Sequence, residues 1–155
     1  MLPYSTPEHF AQHNLAGQLH RLSRLLSALS EHRWASDGYP DVRSAHVQVF
    51  RHLDPDGTRS TVLARRVQVT KQTMGRLVKE LADSAYVNIV TDPADSRAAL
   101  VRLTGRGKLF LAYLATTLPD LERAFSQVLG SARLAEFSAA TQELLAFAEK
   151  RREAL

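Results

Sequence analysis

The chain has 155 residues, 45% of them hydrophobic and 23% charged, with a formal net charge of +4. That size suits one domain or two fused subdomains with a real core, and no run of about 18 apolar residues marks a membrane span. There is no cysteine, which excludes disulfides, thiolate redox sensing and thiolate zinc sites.

The opening MLPYSTPEHF has neither the basic start nor the apolar run of an export signal, so a cytoplasmic location is expected. Thr6-Pro7-Glu8 reads as a helix start, with a cap, a proline at the first helical position and an acid near the positive end of the dipole. Phe10, Leu15, Leu19, Leu22, Leu25, Leu26 and Leu29 then follow at three- and four-residue steps, apart from the entry step, as on one face of a long helix. Asp37-Gly38-Tyr39-Pro40 ends that helix. A helix so long exceeds the needs of one small lobe and predicts packing beyond it.

Val42 to Leu53 reads as a shorter helix with Val47, Phe50 and Leu53 on one face, closed by the turn Asp54-Pro55-Asp56-Gly57. Thr58 to Thr61 fits a brief edge strand or a helix entry, with Ser60 or Thr61 as cap. Val62 to Val67 is a short helix with Leu63, Ala64 and Val67 inward. Val69-Thr70 is a turn, and Thr70 caps the next helix, Lys71 to Asp83. Met74, Leu77, Val78 and Leu81 face inward there. Lys71, Gln72, Thr73, Gly75, Arg76 and Lys79 form the other face, in which donors alternate with small residues. Such a face suits close approach to phosphates and base edges; it is also what an ordinary solvated helix shows.

Tyr86 to Val90 and Ala99 to Leu103 have strand composition. The link TDPADSRA holds the turn formers Asp92-Pro93 and Asp95-Ser96 and is expected to carry Arg97 at its tip, placed for a narrow minor groove. The alternative is a surface turn in which Asp92 or Asp95 pairs with Arg97, and an aspartate can orient the arginine in either case. Thr104 caps a long helix bearing Leu109, Phe110, Leu111, Tyr113, Leu114, Leu118, Leu121, Phe125 and Val128. Pro119 is expected to kink or break it near Leu118. Gly130-Ser131 stops one helix and starts the last, with Leu134, Phe137, Thr141, Leu144, Leu145 and Ala148 near heptad spacing. Lys150-Arg151-Arg152 suits its C-terminus.

Helix, short turn, basic helix and hairpin is the order of a winged helix-turn-helix. The cations cluster there: Arg65, Arg66, Lys71, Arg76 and Lys79 in the helix pair, and Arg97, Arg102, Arg106 and Lys108 in or just after the hairpin. No catalytic arrangement, phosphate loop or nucleophile elbow is present, so an enzyme is not expected. His9, His13 and His20 share a face without a cysteine or a second carboxylate, which favours a solvated or interfacial face over a metal site. His46 and His52 do not share a helical face.

DPADSRAALVRLTGRG resembles the wing signature of the MarR family, through Asp92, Pro93, Asp95, Arg97, Leu103, Thr104 and Gly107. Val69 to Thr73 and Arg76 to Val78 resemble its recognition helix. The resemblance implies a mainly α fold with a small β-hairpin wing: a DNA-binding lobe over 42–108, with dimerisation helices over 1–41 and 109–155 in one intertwined domain. It implies a homodimeric transcription regulator, most often a repressor on a pseudo-palindromic double-stranded operator, modulated by a small aromatic or anionic effector. No cofactor and no membrane partner are implied. The implied DNA contacts are Arg65, Thr70, Lys71, Gln72, Thr73, Arg76, Lys79, Arg97 and Arg102. Phe50, Leu53, Phe110 and Tyr113 are candidates to line an effector pocket, with core as their default place.

Two departures bear on this. Many members have glycine where Ala85 stands, to allow a left-handed cap. Ala85 therefore predicts a different helix exit, costing about 1 kcal/mol if the positive φ were kept. Many also carry arginine at the positions of Ile89 and Ser96. Their absence weakens the implied wing contact, or shifts it to Arg102 and Arg65. It also raises the alternative of a winged-helix ligand- or protein-binding module without DNA binding.

Overall fold

The computed structural model describes residues 14–153. The helix start read at Thr6, Pro7 and Glu8 lies outside them, as do Phe10, His9 and His13. Helix α1 spans Leu15–Ser36, and the Asn14 side chain accepts from the Gly17 amide at 2.6 Å. It closes at the predicted turn, where the Tyr39 amide reaches back to the Trp34 carbonyl at 2.8 Å and Gly38 takes a φ of 96°. Helix α2 is Ser44–His52, shorter than predicted because Leu53 is already extended.

Strand β1, Thr58–Arg59, leads straight into helix α3, Ser60–Val67. Both readings of Thr58 to Thr61 therefore hold, one after the other. The cap is neither Ser60 nor Thr61 but Arg59, whose side chain makes no cap bond. Arg59 is still paired with Leu100 in the sheet, so the helix can begin only one residue later. Helix α4 is Lys71–Asp83, capped by Thr70, whose hydroxyl accepts from the Thr73 amide at 3.1 Å. The turn before it rests on Gln68, at a φ of 64°.

The strands are longer than composition suggests: β2 is Val87–Asp92 and β3 is Asp95–Leu103. The antiparallel sheet has the order β1-β3-β2. Asp92 closes the wing locally, its Oδ1 accepting from the Ala94 amide at 2.9 Å, which lets pairing continue to the edge of Pro93-Ala94. Thr91 faces Ala99 but Asp92 faces Asp95. Residues 96–98 therefore have no partner on β2 and bulge out of the ladder.

Helix α5 spans Gly105–Leu129 and α6 spans Ser131–Glu153. The expected break at Pro119 does not occur. The proline removes one N–H donor, and the helix continues through it. In the turn before, Thr116 donates its hydroxyl to the Tyr113 carbonyl at 2.7 Å and Thr117 to that of Leu114 at 3.2 Å. Gly130, at a φ of 78°, separates α5 from α6 as predicted.

The described residues divide into two compact units, one ending at Phe110 and the other starting at Leu111. In the first, Val47, Val49, Phe50, Leu63, Met74, Leu77, Val78, Leu81, Val87 and Val101 are buried. Phe110 closes this core against Trp34 at 5.7 Å, Tyr39 at 5.0 Å, Phe50 at 5.3 Å and Tyr86 at 5.9 Å. Phe50 and Phe110, candidates for pocket walls, are thus packed ring against ring. Leu53 is half-buried, and Tyr113 is half-buried on α5 in the other unit. Gly107 lets α5 approach the start of β2: a Cβ there would stand 2.2 Å from the Tyr86 carbonyl oxygen. In the second unit, α5 and α6 enclose an open groove of about 500 Å³ lined by Phe125, Leu134, Phe137 and Thr141 among others.

Candidate nucleic-acid interface

Helix α4 separates its faces as its sequence predicts. Met74, Leu77, Val78 and Leu81 are buried, while Lys71, Gln72, Gly75, Arg76 and Lys79 are exposed. Thr73 sits at the boundary, its hydroxyl 2.9 Å from that of Thr70. A Cβ at Gly75 would meet nothing within 4 Å, so that stretch of the helix is open to a groove wall. Two of the cations are engaged within the helix: Arg76 with Glu80 at 2.9 Å and Lys79 with Asp83 at 2.6 Å. Exposed pairs of this kind are worth about 0.2–1 kcal/mol, so a phosphate can displace the carboxylate. Lys71 and Gln72 make no ion pair among the described residues.

Glu80 is the anchor of this helix. It accepts from His46 Nε2 at 2.8 Å and pairs with Arg43 and Arg76. His46 is buried, and its Nδ1 accepts from the Arg43 amide at 3.2 Å. The proton therefore belongs on Nε2, facing the carboxylate. The His46 hydrogen bond, followed by the arginines, holds the Glu80 carboxyl down at about 2. Spacing along the chain gives His46 no role, because it shares no face with His52; its partner lies on another helix.

The wing differs from expectation. Arg97 is not at the tip, which is Pro93-Ala94, but in the bulge that follows. Its backbone amide donates to Asp95 Oδ1 at 3.1 Å, while its exposed guanidinium makes no ion pair among the described residues. Neither aspartate pairs with the Arg97 side chain. Both are taken by Arg59: its Nη2 lies 2.6 Å from Asp92 Oδ2 and 3.5 Å from Asp95 Oδ2. The Ala94 amide and Arg59 hold the Asp92 carboxyl below its usual range.

Not every predicted cation is free to leave the lobe. Arg102 donates Nε to the Asp56 carbonyl at 2.7 Å and packs over Gly57, where a Cβ would stand 2.6 Å from its Cγ. Arg66 binds the His52 carbonyl at 2.8 Å and Asp54 at 2.9 Å. Arg106 lies 4.4 Å over the Tyr86 ring and reaches Asp41 at 2.9 Å. Arg65 is exposed and unpaired among the described residues. Of the cations read as DNA contacts, those available to a partner are thus Arg65, Lys71 and Arg97, with Arg76 and Lys79 in exchangeable pairs. Sequence reasoning misses Arg59. A long cation at a helix N-cap, where serine, threonine or aspartate is favoured, is the available signal.

The MarR family model matches residues 41–98. The exopolysaccharide II synthesis transcriptional activator ExpG of Rhizobium meliloti is 27% identical over 112 residues, 72% of this chain and 58% of that protein's length. The fold is similar to the crystal structure of MarR, with a TM-score of 0.78 at 20% identity over 93% of this chain and 97% of that one. It is similar also to Streptococcus pneumoniae FabT, solved in complex with DNA, with a TM-score of 0.74 at 14% identity over 88% and 96%. Among the described residues no helix is long and apolar enough to cross a membrane. The lobe built by α2, the sheet, α3 and α4 has the winged helix-turn-helix fold, and its sequence and fold are similar to those of MarR-family proteins.

Proposed function

We propose that the protein is a homodimeric, sequence-specific DNA-binding transcription regulator. The observation that carries this is the divided α4: one face locked into the core, the other a row of Lys71, Gln72, Gly75, Arg76 and Lys79 beside an open stretch of backbone. A helix so mounted enters a major groove with donors aimed at base acceptors and phosphates. Arg97, whose guanidinium projects from the wing bulge, supplies a second contact in the neighbouring minor groove, and Arg65 a phosphate contact. Two such lobes about 34–36 Å apart read two half-sites of a pseudo-palindrome. Whether occupancy represses or activates follows from where the operator lies; the curated relative from Rhizobium meliloti is an activator.

The test is a salt series. Sequences selected from a random DNA pool give the half-site and spacing, and fluorescence anisotropy gives affinity on that site. Arg97→Ala should weaken binding and reduce the log–log salt slope by about 0.9 for each phosphate that Arg97 neutralises. An unchanged affinity and slope would remove Arg97 from the interface. The other reading, a winged-helix module that no longer binds DNA, is favoured by one observation. Ile89, at a wing position where many MarR proteins carry arginine, is an apolar side chain 54% exposed. Absence of any salt-sensitive DNA binding would select it.

A further inference from the structure

Arg59 stands where α3 leaves the sheet, yet its side chain does not cap the helix. It crosses instead to the wing. Nε donates to Asp92 Oδ2 at 2.8 Å, and Nη2 approaches both Asp92 and Asp95. Asp92 is buried, at 7% exposure, so its charge requires a partner. Asp95 uses its other oxygen, Oδ1, to hold the Arg97 amide. Arg97 lies in residues 96–98, which have no ladder partner on β2. A path of one ion pair and one hydrogen bond therefore runs from Arg59, at the N-cap of α3, through Asp95 to the backbone of Arg97. Helix α3 packs on α4, and Leu63, Ala64 and Met74 are all buried.

We infer that Arg59 is a positioning residue for DNA reading: it sets the place of the Arg97 bulge relative to α4, so that the wing contact and the groove contact share one register. The inference rests on the proposed regulator function. A guanidinium suits this role because its planar fork reaches two carboxylates at once, which the single ammonium of lysine cannot do in the same geometry. Arg59 also neutralises two aspartates that would otherwise repel a phosphate beside Arg97.

The test has two arms, both on the full chain. In the first, amide exchange is followed in the DNA-free protein. Arg59→Gln should speed exchange at residues 96–98 and leave residues 71–83 as protected as before, which also shows that the lobe is folded. Asp95→Asn, an exposed change at the other end of the path, should speed the same amides. Unchanged exchange in both variants overturns the inference. In the second arm, anisotropy on the selected operator compares Arg59→Gln, Arg97→Ala and their double variant. Each single change should cost roughly tenfold, the scale of a single arginine–base interaction, and the double variant should be no worse than Arg97→Ala alone. Additive losses would mean that Arg59 touches DNA itself, and full affinity retained by Arg59→Lys would mean that the two-carboxylate fork is not needed; either would overturn the positioning role. If the unsubstituted protein shows no salt-sensitive binding, the regulator function fails, and the exchange arm still decides whether Arg59 fixes the bulge.

Discussion

At the scale of single residues, the helix ends at Gly38 and Ala85 make a controlled comparison. Both close a helix in the same way, with the next amide reaching back five residues: Tyr39 to Trp34 and Tyr86 to Leu81, each at 2.8 Å. The first uses glycine at a φ of 96°, the second alanine at 59°. The different helix exit expected from Ala85 is not what forms. Tyr86 and Leu81 are both fully buried, and the Ala85 carbonyl accepts from the Thr104 hydroxyl at 2.6 Å, so packing imposes the left-handed turn on a residue that resists it. Relief of that strain, less the entropy glycine adds to the unfolded chain, should make Ala85→Gly more stable by about 0.5–1 kcal/mol. Urea unfolding measures it, and a midpoint that stays or falls would show that Ala85 carries no strain. Residue chemistry is legible where it acts locally, as in Thr70 capping α4. It is not legible for Arg59, Arg102 or Arg106, because a sequence displays a cation without displaying the distant carboxylate or carbonyl that claims it.

Among elements, α4 is the most legible, since its period alone separates four core residues from the exposed row. The wing is less so. Strand composition locates its two arms, but the bulge at 96–98 depends on Asp92 and Asp95 pairing early, and no periodicity reports that. The proline in α5 is legible as a missing donor, but its position does not report that the helix runs on through it. Beside its buried face, α4 is tied to α2 by Glu80 through His46, and the pH dependence follows. Its carboxyl falls from an ordinary 4.5 to about 2 in the folded chain. A depressed acid contributes stability that is fully present above 4.5 and is lost as the pH falls towards 2. Glu80→Gln should therefore lower the thermal midpoint at neutral pH, and the gap from the unsubstituted protein should narrow between pH 4.5 and 2. A gap that is constant through that window would mean that the carboxylate charge is not what holds the helix.

For the whole molecule, the leucine stripe of the first helix already points to association. The structure leaves that stripe uncovered: Leu15 is 61% exposed, Leu25 50% and Leu29 67%. The same holds for α6, where Phe137, Leu144, Leu145 and Phe147 are each at least 47% exposed. Apolar surface on this scale is unusual for a monomer, and the partner proposed for it is a second copy of the chain. Light scattering at micromolar concentration should give twice the chain mass of 17.3 kDa; a monomer there would contradict the role given to these helices. No described residue of α6 is buried within its own chain, so that helix has little to fold against when alone. Dilution should then act as a denaturant. As subunits separate, helical content should fall together with the assembled fraction, and the melting temperature should climb with protein concentration. The amount of protein present would thereby govern how much of each copy is folded, and young chains at low abundance would be the ones most open to proteolysis.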